Sequence, residues 1–482
     1  MWSKYVFRPP FLLCAVFILN AAPPPSALAA ARQYIRDYEY TASKYDSKHT
    51  CRLYAIDGVK RNLLEELGTY VESVVKINRG SMGESYMTHD LVTLTAGITR
   101  LKLLKEDWNS IRFYVKASMY ADEDEVLRSV RELRKNHDLQ DALRDSRDKL
   151  NKTRQEIKAL KLALANGSTN IDLLKQYNQA AQSFESEMQF QEAIRHYIKG
   201  DFGQMLKIMH SLANEGNSKA QSRMGYMYER GIGVAKDYRK AAEWYIKAIQ
   251  NGSKRAYARV GFLHARGLGV PQNYDEALKY LRKAVELESG LGYARLAYLY
   301  EIGKGVEQNY TRSVEYYKKA AEKGNGFGIA RLGFMYQKGL GVDEDHDKAA
   351  ELYKRAAHKG NPHGMARVGN MYLRGISVYK DHEKAYRYLL AAVERGNPFG
   401  FAKLGFMYEK GLHVDEDMNK AIELYRKGAE MKSTFAQFRM GHVYHKGMGV
   451  EKDRDEAINW YRLAANKGHA KAQRRLEKLL TR

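Results

Sequence analysis

Ala220-Gln221-Ser222-Arg223-Met224-Gly225-Tyr226-Met227-Tyr228 is followed by Gly231-Ile232-Gly233-Val234, then by Asp237, Lys240-Ala241, Trp244-Tyr245 and Ala248. The whole pattern returns every 36 residues, with Gly225 becoming Gly261, Ala297, Gly333, Gly369, Gly405 and Gly441. Self-similarity at a period of about 20–50 residues marks a solenoid. Such an array buries its core between stacked units and presents a long surface suited to binding.

One unit reads as two short helices. Residues 220–228 form the first, and Gly231 ends it by taking the left-handed conformation that other residues avoid. Asp237 then caps the second helix, and Asn273, Asn309, Asp345, Asp381, Asp417 and Asp453 repeat that cap. Glu276 and Glu456, three residues on, complete capping boxes. Ala241, Trp244-Tyr245 and Ala248 supply the second helix with small contact points and large apolar rings. Gly225 lies within a helix, where glycine costs up to about 1 kcal/mol against alanine. Since Ala297 occupies the same position, close helix contact rather than backbone freedom is the requirement. Two departures from the pattern matter. Ser377 replaces the second turn glycine, and Glu288 replaces the glycine that ends the unit, so irregular packing is expected at Glu288.

This unit resembles the Sel-one-like repeat, a relative of the tetratricopeptide repeat. The likeness rests on Ala220, Gly225 and Tyr228, the Gly231-to-Val234 turn, Asp237 with Lys240-Ala241, and Trp244-Tyr245 with Ala248. It covers residues 217–468, about half of the chain. The resemblance implies an α/α superhelix that mediates protein–protein contacts, as adaptors and scaffolds do, many of them in bacterial envelopes.

The expected fold is mainly α: a superhelical solenoid of seven 36-residue helix-turn-helix repeats, with a small α+β N-terminal domain and a helical connector. Residues 31–135 carry the order β-α-α-β-β-α, with strands at 34–42, 101–105 and 111–120 and helices at 52–73, 91–98 and 122–134. They resemble a module found ahead of helical arrays in exported bacterial proteins, on Asp46-Ser47-Lys48, Cys51-Arg52, Leu63-Leu64-Glu65-Glu66-Leu67-Gly68 and Leu94-Thr95-Ala96-Gly97. Residues 136–189 form a connector whose seam of Leu143, Leu150, Ile157 and Leu164 suits either a hairpin or an intermolecular coiled coil. The second seam, Leu139, Ser146, Thr153 and Leu160, is weak. Residues 190–216 read as starter helices and 469–482 as a polar capping helix.

The chain of 482 residues carries a formal net charge of +23. Residues 217–482 hold 49 Lys and Arg against 30 Asp and Glu, so the array carries most of it. Such a surface favours anionic partners. Lys4 and Arg8 precede an apolar run at 11–19, and Ala27-Leu28-Ala29 follows a Pro-rich stretch. This is the pattern of a signal peptide over residues 1–29, either cleaved or retained as an anchor. Its apolar run is too short to span a bilayer. The expected location is therefore periplasmic or secreted. Removal of the leader would leave Cys51 as the one cysteine, either a small buried hydrophobe or one end of an intermolecular bridge.

One position is basic in every unit: Arg223, Arg259, Arg295, Arg331, Arg367, Lys403 and Arg439. Three residues later stand Tyr226, Phe262, Tyr298, Phe334, Asn370, Phe406 and His442. Positions 223, 226 and 230 share one helix face at about 100° per residue. Given that the resemblance places first helices on the concave side, the row forms a groove of cations and rings. Arginine suits carboxylates through paired hydrogen bonds and stacks on aromatic faces. The competing reading is structural, with each arginine packed over a ring or paired with a neighbouring acid.

No H-E-x-x-H, G-x-S-x-G, Walker or C-x-x-C pattern occurs, and His346, His358, His363 and His382 do not share a helix face. No cofactor, metal or catalytic residue is expected. The favoured function is a non-enzymatic scaffold binding an acidic or extended protein. The alternatives are a binder of peptidoglycan or lipopolysaccharide and, less so, an enzyme acting through residues 31–135. The export signal argues against nucleic acid.

Overall fold

The computed structural model describes residues 32–77, 101–121, 137–165 and 171–481. The leader and the expected helices at 91–98 and 122–134 lie outside these residues.

β1 (Arg32–Thr41), β2 (Leu101–Trp108) and β3 (Arg112–Ala121) form one antiparallel sheet in the order β1-β3-β2. The turn between β2 and β3 closes because Asn109 Oδ1 accepts from the Ile111 and Arg112 amides, and Ser110 takes φ 70°. Helix α1 (Lys48–Ile77) lies on this sheet. Cys51, Ala55, Val59, Leu63 and Leu67 recur at helical spacing and meet the alternate residues Phe113, Val115, Ala117 and Met119. Cys51 is wholly buried and unbridged.

Helices α2 (His137–Ala165) and α3 (Ile171–Ile198) pack against each other. Leu150, Ile157, Leu160 and Leu164 meet Tyr177, Ala180 and Phe184. Both heptad seams are buried, Ser146 and Thr153 included, so the weaker seam also faces protein. Two ion pairs fasten α1 and its preceding loop to α2. Arg154 grips Asp57 at 2.7 Å, and Lys161 reaches Asp46 at 2.7 Å.

Helix α4 (Phe202–Asn214) leads into seven helix pairs. The first helices are α5 (Ser218–Arg230), α7 (Lys254–Arg266), α9 (Gly290–Ile302), α11 (Gly326–Lys338), α13 (Pro362–Arg374), α15 (Pro398–Glu409) and α17 (Thr434–Lys446). The second helices are α6 (Tyr238–Gln250), α8 (Tyr274–Glu286), α10 (Tyr310–Glu322), α12 (His346–His358), α14 (His382–Glu394), α16 (Met418–Glu430) and α18 (Arg454–Ala465). Helix α19 (Ala470–Leu480) follows and sets Ala472 and Leu479 against the last pair. The array is therefore the α/α solenoid expected from its period.

Asp237 accepts from the Arg239 and Lys240 amides, as the capping pattern requires. Gly225 meets the second helix closely: a methyl group there would lie 2.7 Å from the Tyr245 ring. Tyr245, Tyr317, Tyr353, Tyr425 and Tyr461 are buried at this contact, with Leu281 and Leu389 in the remaining pairs. The turn positions keep their left-handed backbone where glycine is missing. Glu288 has φ 55° and Ser377 φ 52°, and His413 and Lys432 in the sixth unit have φ 64° and 66°. The irregularity expected at Glu288 does not occur. Ser289 caps α9 through the Gly292 amide, and the turn accepts the strain of a side chain.

From the second unit onward, successive first helices touch one another, whereas successive second helices stand further apart. The ribbon therefore curves toward the first helices and puts them on the hollow side.

Candidate binding groove

The basic row lies along the first helices, half-buried except for Arg223, which is 7% exposed. Each cation lies over rings of its own or an adjoining layer. Arg259 lies 5.1 Å from the Tyr226 centroid, Arg295 4.1 Å from Phe262, Arg331 4.6 Å from Phe334 and Arg439 6.0 Å from Phe406. Arg223 is held between Tyr197 at 4.8 Å and Tyr226 at 5.1 Å. Stacking fixes the guanidinium plane and leaves its N–H edge available.

Beyond Arg223, the row divides into two kinds of cation. Arg259, Arg331 and Arg439 pair with Glu229, Glu301 and Glu409 of the preceding unit. Each of these glutamates is buried and accepts a second bond from the tyrosine of its own pair, Tyr245, Tyr317 or Tyr425. At these three positions the arginine is paired with an acid inside the protein, the arrangement that the competing reading describes.

Arg295, Arg367 and Lys403 differ. The residue thirty positions earlier is Ala265, Gln337 or Leu373 rather than glutamate. Among the described residues no carboxylate pairs with them. A phenylalanine thirty-two positions later closes over each instead: Phe327 at 5.3 Å, Phe399 at 4.9 Å and Phe435 at 4.0 Å. At the glutamate-paired positions that later residue is Leu291, His363 or Lys471. The phenylalanines and glutamates were not part of the expected site, although both follow the 36-residue period.

Burial, with Arg259 beside it, pulls the Arg295 guanidinium down to about 10, so it stays charged at neutral pH. Burial and then Arg374, Arg367 and Arg439 pull the Lys403 ammonium down to about 8. Burial and the Arg439 and Arg475 charges push His442 down to about 4, so its imidazole is neutral and adds no charge to the row. Phe262, Arg295, Tyr298 and Ile302 line a cavity of about 70 Å³ within the groove. Phe334 and Phe406 occupy the corresponding ring positions further along.

The arrangement sets the cations Arg295, Arg367 and Lys403 between ring faces along the first helices. The Sel1 repeat family model matches residues 218–253, 254–289, 290–325, 327–361, 362–397, 402–433 and 434–469. A protective antigen present in uropathogenic Escherichia coli strains, described as displaying an SLR fold, is 34% identical over 64% of this chain and 67% of that one, with a TM-score of 0.39. A Sel1 repeat protein from Oxalobacter formigenes is 30% identical over 50% of this chain and 99% of its own, with a TM-score of 0.42. No curated protein matches the chain.

Proposed function

The chain belongs to the Sel1 repeat family, whose arrays typically serve as protein-interaction scaffolds, and we propose that its hollow face captures an acidic, extended segment of a protein partner. The observation that carries this reading is the set Arg295, Arg367 and Lys403: ring-clamped cations that no carboxylate among the described residues approaches to ion-pair distance. A clamped cation has little side-chain freedom left to lose on binding. The excess of basic residues in the array adds long-range attraction. The leader pattern at residues 1–29 supports export to a bacterial envelope as the setting, and N-terminal sequencing of the protein from periplasm tests that part.

The binding test uses a fluorescent acidic peptide of ten or so residues and the full chain at low salt. Replacing Arg295, Arg367 and Lys403 together by Gln weakens capture strongly while circular dichroism stays helical. Undiminished binding by that variant rules the reading out. Purified peptidoglycan binding more tightly than any acidic peptide would favour the polymer instead.

A further inference from the structure

A cavity of about 500 Å³ opens where α2 leans over the start of the array. Ala142, Arg144 and Asp145 of α2 form one wall, and the turns and first-helix starts of the leading repeats form the other. Eight of its lining side chains are Lys or Arg and two are Asp or Glu. Both carboxylates are engaged: Asp145 pairs with Arg255 at 2.9 Å and Glu288 with Lys323 at 2.9 Å. Lys219 and Arg259 reach glutamates outside the cleft, Glu187 at 2.9 Å and Glu229 at 3.4 Å. Among the described residues, no carboxylate lies at ion-pair distance from Arg223, Lys254 or Lys359.

Arg223 is the central feature. It is 7% exposed, lines this cavity, and its Nη2 is buried without a hydrogen-bond partner. The position that would supply its glutamate, thirty residues earlier, is Ala193 of α3. Leaving such a donor unsatisfied is costly, which favours any ligand that satisfies it. A second opening lies beside it. Ser253, at the start of α7, makes no side-chain cap, and its hydroxyl sits 2.7 Å from that of Ser222. The first-turn amides of α7 are therefore left without that acceptor, in a helix end that favours negative charge.

The geometry points to this cleft as a specific seat for a carboxylate of an acidic peptide, held by Arg223 and the uncapped start of α7, with Lys254 and Lys359 at its rim. Phe190, Tyr245, Leu287 and Leu291 provide an apolar wall for the rest of the segment, which a bare inorganic anion would not use. The volume lies within the usual range for ligand sites, roughly 300–1,000 Å³. The inference rests on the groove reading, because Arg223, Tyr226 and Arg259 belong to both. It adds an anchoring end at which the partner's chain would start.

The test uses triglutamate, which is too short to span the groove, with the full chain at low salt. Calorimetry should detect binding, and bound peptide should protect Lys254 and Lys359 from acetylation as read by mass spectrometry. Arg223→Gln should weaken binding at least about tenfold, the loss of one charge-assisted contact. Lys254→Glu with Lys359→Glu alters only exposed residues and should weaken it comparably, even if Arg223→Gln disturbs folding. The Arg295, Arg367 and Lys403 variant should bind triglutamate as the parent does, while the long peptide loses its advantage over triglutamate, so that the groove and the cleft can fail separately. Unprotected lysines, unchanged affinity in the double lysine variant, or displacement of triglutamate by inorganic phosphate at lower concentration than by free triglutamate would each overturn the assignment.

Discussion

The Tyr245 hydroxyl donates a 2.7 Å hydrogen bond to Glu229, and the same carboxylate faces Arg259 of the next repeat at 3.4 Å. One buried acid thus ties the two helices of a unit together and joins that unit to its successor. Tyr317, Glu301 and Arg331 repeat the arrangement, as do Tyr425, Glu409 and Arg439. In an array where each layer touches only its neighbours, such triads carry stability across the interfaces.

Removing the acid should therefore strand two partners at once. Glu409→Ala leaves the Tyr425 hydroxyl and the Arg439 guanidinium without their shared acceptor, and Glu409 is 3% exposed. The expected loss is about 3 kcal/mol. It should appear as a lower urea midpoint and faster hydrogen exchange in α15 to α17, with the leading repeats unaffected.

The contact between Gly225 and Tyr245 sets a steric limit. A methyl at Gly225 falls 2.7 Å from the ring, against 3.1 Å for the equivalent Gly333. Gly225→Ala should cost about 1–3 kcal/mol by overpacking and more than Gly333→Ala. Thermal unfolding of the two variants side by side checks the order.

Asp46 fastens the N-terminal module to the connector. Its side chain is fully buried, pairs with Lys161 at 2.7 Å, and accepts bonds from Tyr177 and, at 2.7 Å, from the Ser43 amide. Asp46→Ala leaves the Lys161 ammonium largely buried without its acid, and about 3–5 kcal/mol should be lost. Limited proteolysis should then cut between residues 42 and 50 well before the repeats are attacked.

If the groove captures an acidic segment as proposed, Lys403 should make that binding sensitive to pH. Its ordinary value lies near 10.5, and burial with the neighbouring arginines brings it to about 8. Below that value the ammonium is charged and can hold a carboxylate; as pH rises through about 8 the charge and its attraction are lost. Capture of the acidic peptide should weaken across that window, and Lys403→Arg should remove most of the dependence, since a guanidinium stays protonated. A titration as steep in the variant as in the parent would show that the lysine is not at the binding surface.

The helices, their caps and their left-handed turns were legible because their causes are local. A glycine or aspartate acts on the backbone within a few residues of itself. The basic row was legible for the same reason, since residues 223, 226 and 230 share a face of one helix. Its division was not. Whether Arg295 is available or Arg331 is neutralised depends on residue identities thirty positions before and thirty-two after, which become neighbours only when layers stack. The turn at Glu288 shows the converse, because the stacked layers hold a conformation that the local residue disfavours.

Period, helix pairing and the excess of positive charge could thus be read from the order of amino acids alone, being set by short-range geometry and composition. Which cations are silenced by a buried acid, which are clamped between rings, and that α2 roofs a basic cleft over the first repeats emerged only on folding. Contacts of that kind depend on the distance between helices, and packing of the complete array sets that distance.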